Sequence, residues 1–174
     1  MSIPFSDIQQ LISDKFGDKV SAYTEEYGIA TFETTPDNLI EVVNYITTEP
    51  ALNFHFLTDI CGVHLPDNDT PYQFVAVYQF HNMPQKTRLR IKVFLDGGKP
   101  QVPTITGLYN SANWLERETY DFFGIEFLGH PNMVRILNMD EMTVFPLRKE
   151  FPLEDAGRND KDDRFFGRSI HNES

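Results

Sequence analysis

The chain has one cysteine, Cys61, in 174 residues. A single thiol excludes an internal disulfide, and it excludes a cysteine-ligated iron–sulfur cluster or a Cys₄ zinc site built within this chain. A reducing, cytoplasmic compartment fits that usage. No run of eighteen apolar residues is present, so no span of a bilayer is expected. Met1-Ser2-Ile3-Pro4-Phe5 has no basic region, so no signal peptide is expected. Gly-x-Gly-x-x-Gly, a phosphate-binding Walker loop and a nucleophile elbow are all missing. The five histidines, His55, His64, His81, His130 and His171, include no pair at the i, i+4 spacing that a helix-borne zinc site uses. Positive charge is scarce: 15 Lys and Arg stand against 26 Asp and Glu, a net charge of −11. Such a surface repels phosphate backbones and anionic headgroups, so neither nucleic acid nor a direct membrane contact through a basic patch is expected.

What is present is apolar and aromatic enough to fold. Hydrophobic residues make up 40%, and the 15 Phe are an excess that serves either a core or an interface. The length predicts one domain, able to bury roughly 70% of its unfolded surface. Ile8, Leu11, Ile12 and Phe16 share a helix face that begins at a capping Ser6 and stops at Gly17. Val20–Tyr23 and Ile29–Phe32 predict a hairpin turning through Glu25-Glu26-Tyr27-Gly28. Thr35-Pro36-Asp37 is a helix start, with Thr35 as cap, and Leu39, Val43 and Ile46 line one face before Glu49-Pro50. Three longer strands follow, 54–65, 72–80 and 88–95, with Pro66–Asp69 and His81–Pro84 as turns. In the second, Tyr72, Phe74, Ala76, Tyr78 and Phe80 alternate onto one side. In the third, Leu89, Ile91, Val93 and Leu95 oppose Arg88, Arg90 and Lys92, which read as a solvated face. Asn110-Ser111 caps a helix over 112–123 that Gly124 closes. The expectation is an α+β fold, an antiparallel sheet with helices on one face. Residues 1–127 form the core domain, 128–153 an extended strap punctuated by proline, and 154–174 a polar flexible tail.

Charge, aromatics and turn residues are densest from Glu116 to Pro152. On the helix, Glu118 and Asp121 share a face, and Arg117 and Asp121 stand four apart, close enough to pair. Glu118, Asp121 and His130 make a candidate carboxylate–histidine metal site, and with it a small metal-dependent hydrolase. The opposing reading is that these groups bond to each other, to backbone and to Arg135 or Arg148. The two prolines around Leu147-Arg148-Lys149-Glu150-Phe151 predict an extended, stiff segment anchored by Leu147 and Phe151. Its Arg148 is suited to forked carboxylate pairing. It docks a partner, or it clamps its own chain onto Glu116, Glu118 or Asp121; both readings stand.

Glu116-Arg117-Glu118, Asp121, Phe123-Gly124-Ile125, Phe127, Gly129-His130-Pro131 and Arg135-Ile136-Leu137, followed by Pro146 through Pro152, resemble the ordered motif of the 30-kDa subunit family of respiratory complex I. Val144-Phe145 replace the Gly-His that the family usually carries before Pro-Leu-Arg-Lys, and the tail from Glu154 departs from its pattern. The resemblance implies a non-catalytic peripheral-arm subunit of a proton-translocating NADH–quinone oxidoreductase, with no catalytic, cofactor-binding or metal residues of its own. It implies FMN, iron–sulfur clusters, NAD and quinone in the assembled complex. It implies docking against the 49-kDa-like subunit and iron–sulfur subunits, on the cytoplasmic side of the bacterial inner membrane. It assigns Glu116, Arg117, Glu118, Asp121, Gly124, His130, Pro131, Arg135, Pro146, Leu147, Arg148, Lys149 and Phe151 to the docking region. An equivalent subunit of a related membrane-bound hydrogenase or ferredoxin-linked complex fits the same motif.

Overall fold

The computed structural model describes residues 2–68 and 70–151. The expected polar tail, with Pro152 and Leu153 of the strap, lies outside the described residues. In order, the elements are α1 (Phe5–Phe16), β1 (Val20–Glu26), β2 (Ile29–Thr34), α2 (Pro36–Thr48), β3 (Phe56–His64), β4 (Tyr72–Asn82), β5 (Thr87–Asp96), β6 (Gln101–Pro103), α3 (Ala112–Phe123) and β7 (Glu126–Leu128). Five strands form one sheet in the order β1-β2-β5-β4-β3, and β6 pairs with β7. This is the α+β class expected, with one difference. β2 runs parallel to β5, so the sheet is mostly rather than wholly antiparallel. The α2 crossover and the β3–β4 hairpin allow it, because they return the chain to the middle of the sheet in the direction of β2.

Period-two alternation sorts the two faces. Leu57, Ile60, Gly62 and His64 of β3 pair with Phe80, Tyr78, Ala76 and Phe74 of β4. These continue through Leu89, Ile91, Val93 and Leu95 of β5. This inward face meets Ile8, Ile12 and Phe16 from α1 and Leu39, Val43 and Ile46 from α2 in one core. Tyr72 departs from the expected alternation: the register shifts between it and Phe74, and it stays half-exposed. Gly62 is where α3 crosses the sheet, since a Cβ there would stand 2.6 Å from the Phe123 ring. The Thr119 hydroxyl, donating to the Ile60 carbonyl at 2.9 Å, pins the same helix to β3.

The helix starts fall close to expectation, but side-chain oxygens do not cap them. α1 starts at Phe5 after Pro4, and Ser6 lies inside its first turn, donating to Asp7. Thr35 and Ser111 occupy the capping positions of α2 and α3 without a capping side-chain bond. Ser111 already has helical angles, which turn its hydroxyl away from the amides a cap must reach. The hairpin turn is two residues, Tyr27-Gly28, both with positive φ, and β4 extends through Asn82. β7 has no counterpart among the expected strands, because three residues are too few to show periodicity.

Candidate docking site

Asp121 is the centre of the site. It is fully buried on the last turns of α3, and its Oδ2 accepts the N–H groups of Ile136, Leu137 and Asn138 at 3.1, 2.8 and 2.9 Å. Its Oδ1 takes the Arg135 guanidinium at 2.7 Å. Burial by itself would raise its pKa, but the amides of Asn138, Leu137 and Ile136 and the Arg135 guanidinium outweigh that and hold the carboxyl well below the usual range. Arg135 also donates to the carbonyls of Asp121, Met142 and Val144. One ion pair thus folds residues 135–144 into a loop on the helix. Arg117 adds a second tie, donating to the carbonyls of Val134 and Arg135 while lying over the Trp114 ring.

The C-terminal end of α3 is closed by the strap. Gly124 (φ +70) ends the helix, and Leu147 N–H and Arg148 Nε donate to the carbonyls of Phe122 and Phe123. A cation at this end also meets the negative pole of the helix dipole. Arg148 lies between the rings of Phe74 and Phe145, 4.9 and 4.6 Å from their centroids. Only glycine fits at 124, because a Cβ would lie 2.5 Å from Arg148 Nη2.

Several pairings differ from expectation. Arg117 does not pair with Asp121, whose carboxylate is already saturated from the other side. Arg148 does clamp its own chain, but through backbone carbonyl rather than Glu116, Glu118 or Asp121. Residues 145–151 are two successive turns, closed by Arg148 N–H to Phe145 and Phe151 N–H to Arg148, rather than an extended segment. Pro146 at the second position of the first turn favours this. Glu118 is exposed. His130 is occupied on both nitrogens, Nδ1 accepting the Asn132 N–H and Nε2 donating to the Asn113 carbonyl. Glu118, Asp121 and His130 therefore do not converge, and among the described residues no group of three or more His, Cys, Asp or Glu could hold a metal. Pro131 and Lys149 are exposed, and Phe151 is half-buried.

Glu116 lies apart from this cluster, wholly buried. Its carboxylate accepts the Thr104 hydroxyl and the Ile105 N–H, at 2.5 and 2.8 Å, and so holds the loop before α3. Burial pushes its pKa up to about 7 against the pull of those two bonds. His64 belongs to the site although ligand spacing does not single it out. It stacks on Phe74 at 4.5 Å, and its Nδ1 accepts the Lys149 N–H at 3.0 Å. Its place at an inward register of β3, after Ile60 and Gly62, is the signal that marks it.

The outer surface of the loop carries large apolar side chains beside the exposed Asp140 and Glu141. Trp114, Leu137 and Met139 are 60%, 64% and 69% exposed, and Val134, Val144 and Leu147 are partly exposed beside them. Large apolar side chains that the chain itself leaves uncovered are candidates for an interaction surface.

Comparisons with known proteins converge on one group. A family model described as the respiratory-chain NADH dehydrogenase 30 Kd subunit matches residues 32–157. The second C-type subunit of the NADH-quinone oxidoreductase of Rhizobium etli is 41% identical over 92% of this chain and 83% of its own length. The C-type subunit of the NADH-quinone oxidoreductase of Citrifermentans bemidjiense is 37% identical over 84% and 89%. Among solved structures, a trypsin-resistant fragment of Nqo5 aligns with a TM-score of 0.61 and 29% identity, covering 73% of this chain and 97% of the fragment. The fold is also shared with a chain of an archaeal membrane-bound sulfane sulfur reductase, with a TM-score of 0.72 at 24% identity and 85% of each chain covered.

Proposed function

The chain belongs to the 30-kDa subunit family of the respiratory-chain NADH dehydrogenase, and from that membership we propose that it is a non-catalytic, peripheral-arm subunit of a proton-translocating NADH–quinone oxidoreductase. In that complex electrons pass from NADH through FMN and iron–sulfur clusters to quinone. FMN, clusters, NAD and quinone are held by companion subunits, and this chain supplies a docking surface for the 49-kDa-like subunit and the adjoining iron–sulfur subunits. The complex sits on the cytoplasmic side of the bacterial inner membrane. No helix among the described residues is long and apolar enough to cross a membrane.

One observation carries the reading. Asp121, Arg135, Arg117 and Arg148 are engaged internally, and the loop they tie down turns Leu137 and Met139 outward, as α3 does Trp114. A preorganised apolar patch associates without an ordering cost at the moment of binding.

Affinity purification of the tagged full-length chain from membranes tests this. Flavin-bearing and iron–sulfur subunits are expected in stoichiometric yield, and a lone monomer overturns the reading. The identity of the electron-input subunit separates this complex from a related hydrogenase or ferredoxin-linked one.

A further inference from the structure

A second exposed surface lies at the opposite end of the sheet from the strap. The strap touches His64, which pairs with Phe74, which pairs in turn with Leu95. Arg88 is seven residues earlier on β5, roughly 23 Å away at strand rise. There the register places Phe56, His81, Arg88 and Ile29 side by side in one row, on the face turned away from the helices. Two turns overhang the row, Tyr27-Gly28 from the β1–β2 hairpin and Met83–Lys86 from the β4–β5 hairpin. Together they line a cleft of about 500 Å³ that includes Tyr27, His81, Met83, Lys86 and Arg88.

Three observations distinguish this cleft from ordinary surface. Tyr27 is 99% exposed and Met83 about half-exposed on the cleft, and the half-exposed Phe56 stands at the end of the same strand row. Tyr27 and Lys86 both hold positive φ, 55° and 52°. A bulky residue is uncommon in that region, and Asn, Asp or Gly is the usual occupant of a primed hairpin turn. An aromatic ring kept at such a position with no intramolecular contact to reward it is a feature that recognition explains. Local charge is also inverted. Lys86, Arg88 and the His81 imidazole face one carboxylate, Glu26 at the end of the row, in a chain whose net charge is −11. Among the described residues neither Lys86 nor Arg88 has a carboxylate within ion-pair distance.

The geometry points to a second docking site, for an acidic segment of a companion protein that carries an aromatic or aliphatic anchor. The anchor seats between Tyr27 and Met83, and carboxylates meet Lys86 and Arg88. Tyrosine, methionine and arginine, the types that Tyr27, Met83 and Arg88 supply, are enriched at interface centres. The site goes beyond the strap: with both occupied, the chain bridges two neighbours across the length of its sheet.

Full-length chain bearing a photoreactive p-benzoylphenylalanine at position 27 is irradiated in membranes, and the cross-linked peptide is sequenced. Cross-linking to a segment rich in Asp and Glu of a companion protein is expected. Charge reversal at Lys86→Glu and Arg88→Glu should lower the yield about tenfold or more, and Lys86→Arg should not. Tyr27→Asn suits the turn and removes only the ring. It should weaken retention of that companion without moving the thermal midpoint, which covers a failure of the charge-reversed variant to fold. Cross-linking to a second copy of the chain, to lipid alone or to nothing overturns the proposal, as does a yield indifferent to charge reversal. If companions co-purify normally but residue 27 reaches none of them, this site fails while the assembly reading stands.

Discussion

Asp121 Oδ1 and Arg135 Nη1 meet 2.7 Å apart with the carboxylate wholly buried, and this pair shapes the irregular chain around it. The aspartate gathers the amides of residues 136–138 while the arginine gathers the carbonyls of Met142 and Val144, so the loop is built around the pair as around a bound ion. Asp121→Ala leaves a largely buried guanidinium and three amides without their acceptor. It should cost about 3–5 kcal/mol in urea unfolding of the isolated chain. It should also open residues 134–148 to protease before global unfolding.

Acid should act in the same direction. Asp121 has a folded pKa below its unfolded value, so its contribution is complete above the unfolded pKa, about 3.9, and fades as pH falls. Asp121→Asn should flatten the acid limb of stability against pH, measured by denaturant titration from pH 5 downward.

Glu116 should produce the opposite slope in a higher window. Its folded pKa, about 7, exceeds the 4.5 of an unperturbed glutamate. The folded chain therefore holds the proton longer, and stability falls as pH rises from 4.5 through 7. The integrated loss is about 3 kcal/mol. Glu116→Gln can still accept from Ile105 and donate to Thr104. Denaturant titration across roughly pH 4.5 to 8 should show the slope in the parent chain and its absence in the variant.

Arg148→Ala should destabilise the isolated chain by about 1.5–3 kcal/mol, because it removes a charged donor to the Phe123 carbonyl and the cation stacked between Phe74 and Phe145. Arg148→Lys should recover little of this, since a lysine ammonium lacks the flat surface that both rings contact. Thermal melts of the two variants decide the matter.

Leu137→Ser with Met139→Ser should behave the other way. Both side chains are exposed, so the isolated chain should unfold within about 0.5 kcal/mol of the parent. Recovery of companions in affinity purification should fall at least about tenfold, as loss of apolar hot-spot contacts predicts.

Local pattern alone determined most of the core domain. Inward Phe74, Tyr78, Phe80, Leu89, Ile91 and Val93 were legible from alternation, α2 from apolar spacing, α3 from its Asn110-Ser111 start and Gly124 stop, and the family from the ordered motif between Glu116 and Pro152. These are short-range signals, carried by residues two to four positions apart or by an uninterrupted string. Tertiary structure decided the partners. Periodicity contains no information on which strands meet, so the parallel β2–β5 pair was hidden. Arg135, Arg148 and Asp121 bond mostly to backbone groups far along the chain, and a main-chain amide leaves no letter in the sequence to announce it. His64 and Glu116 are polar types, which by themselves suggest surface. Only the packing of α3 across β3, and of the strap across the end of α3, made them buried.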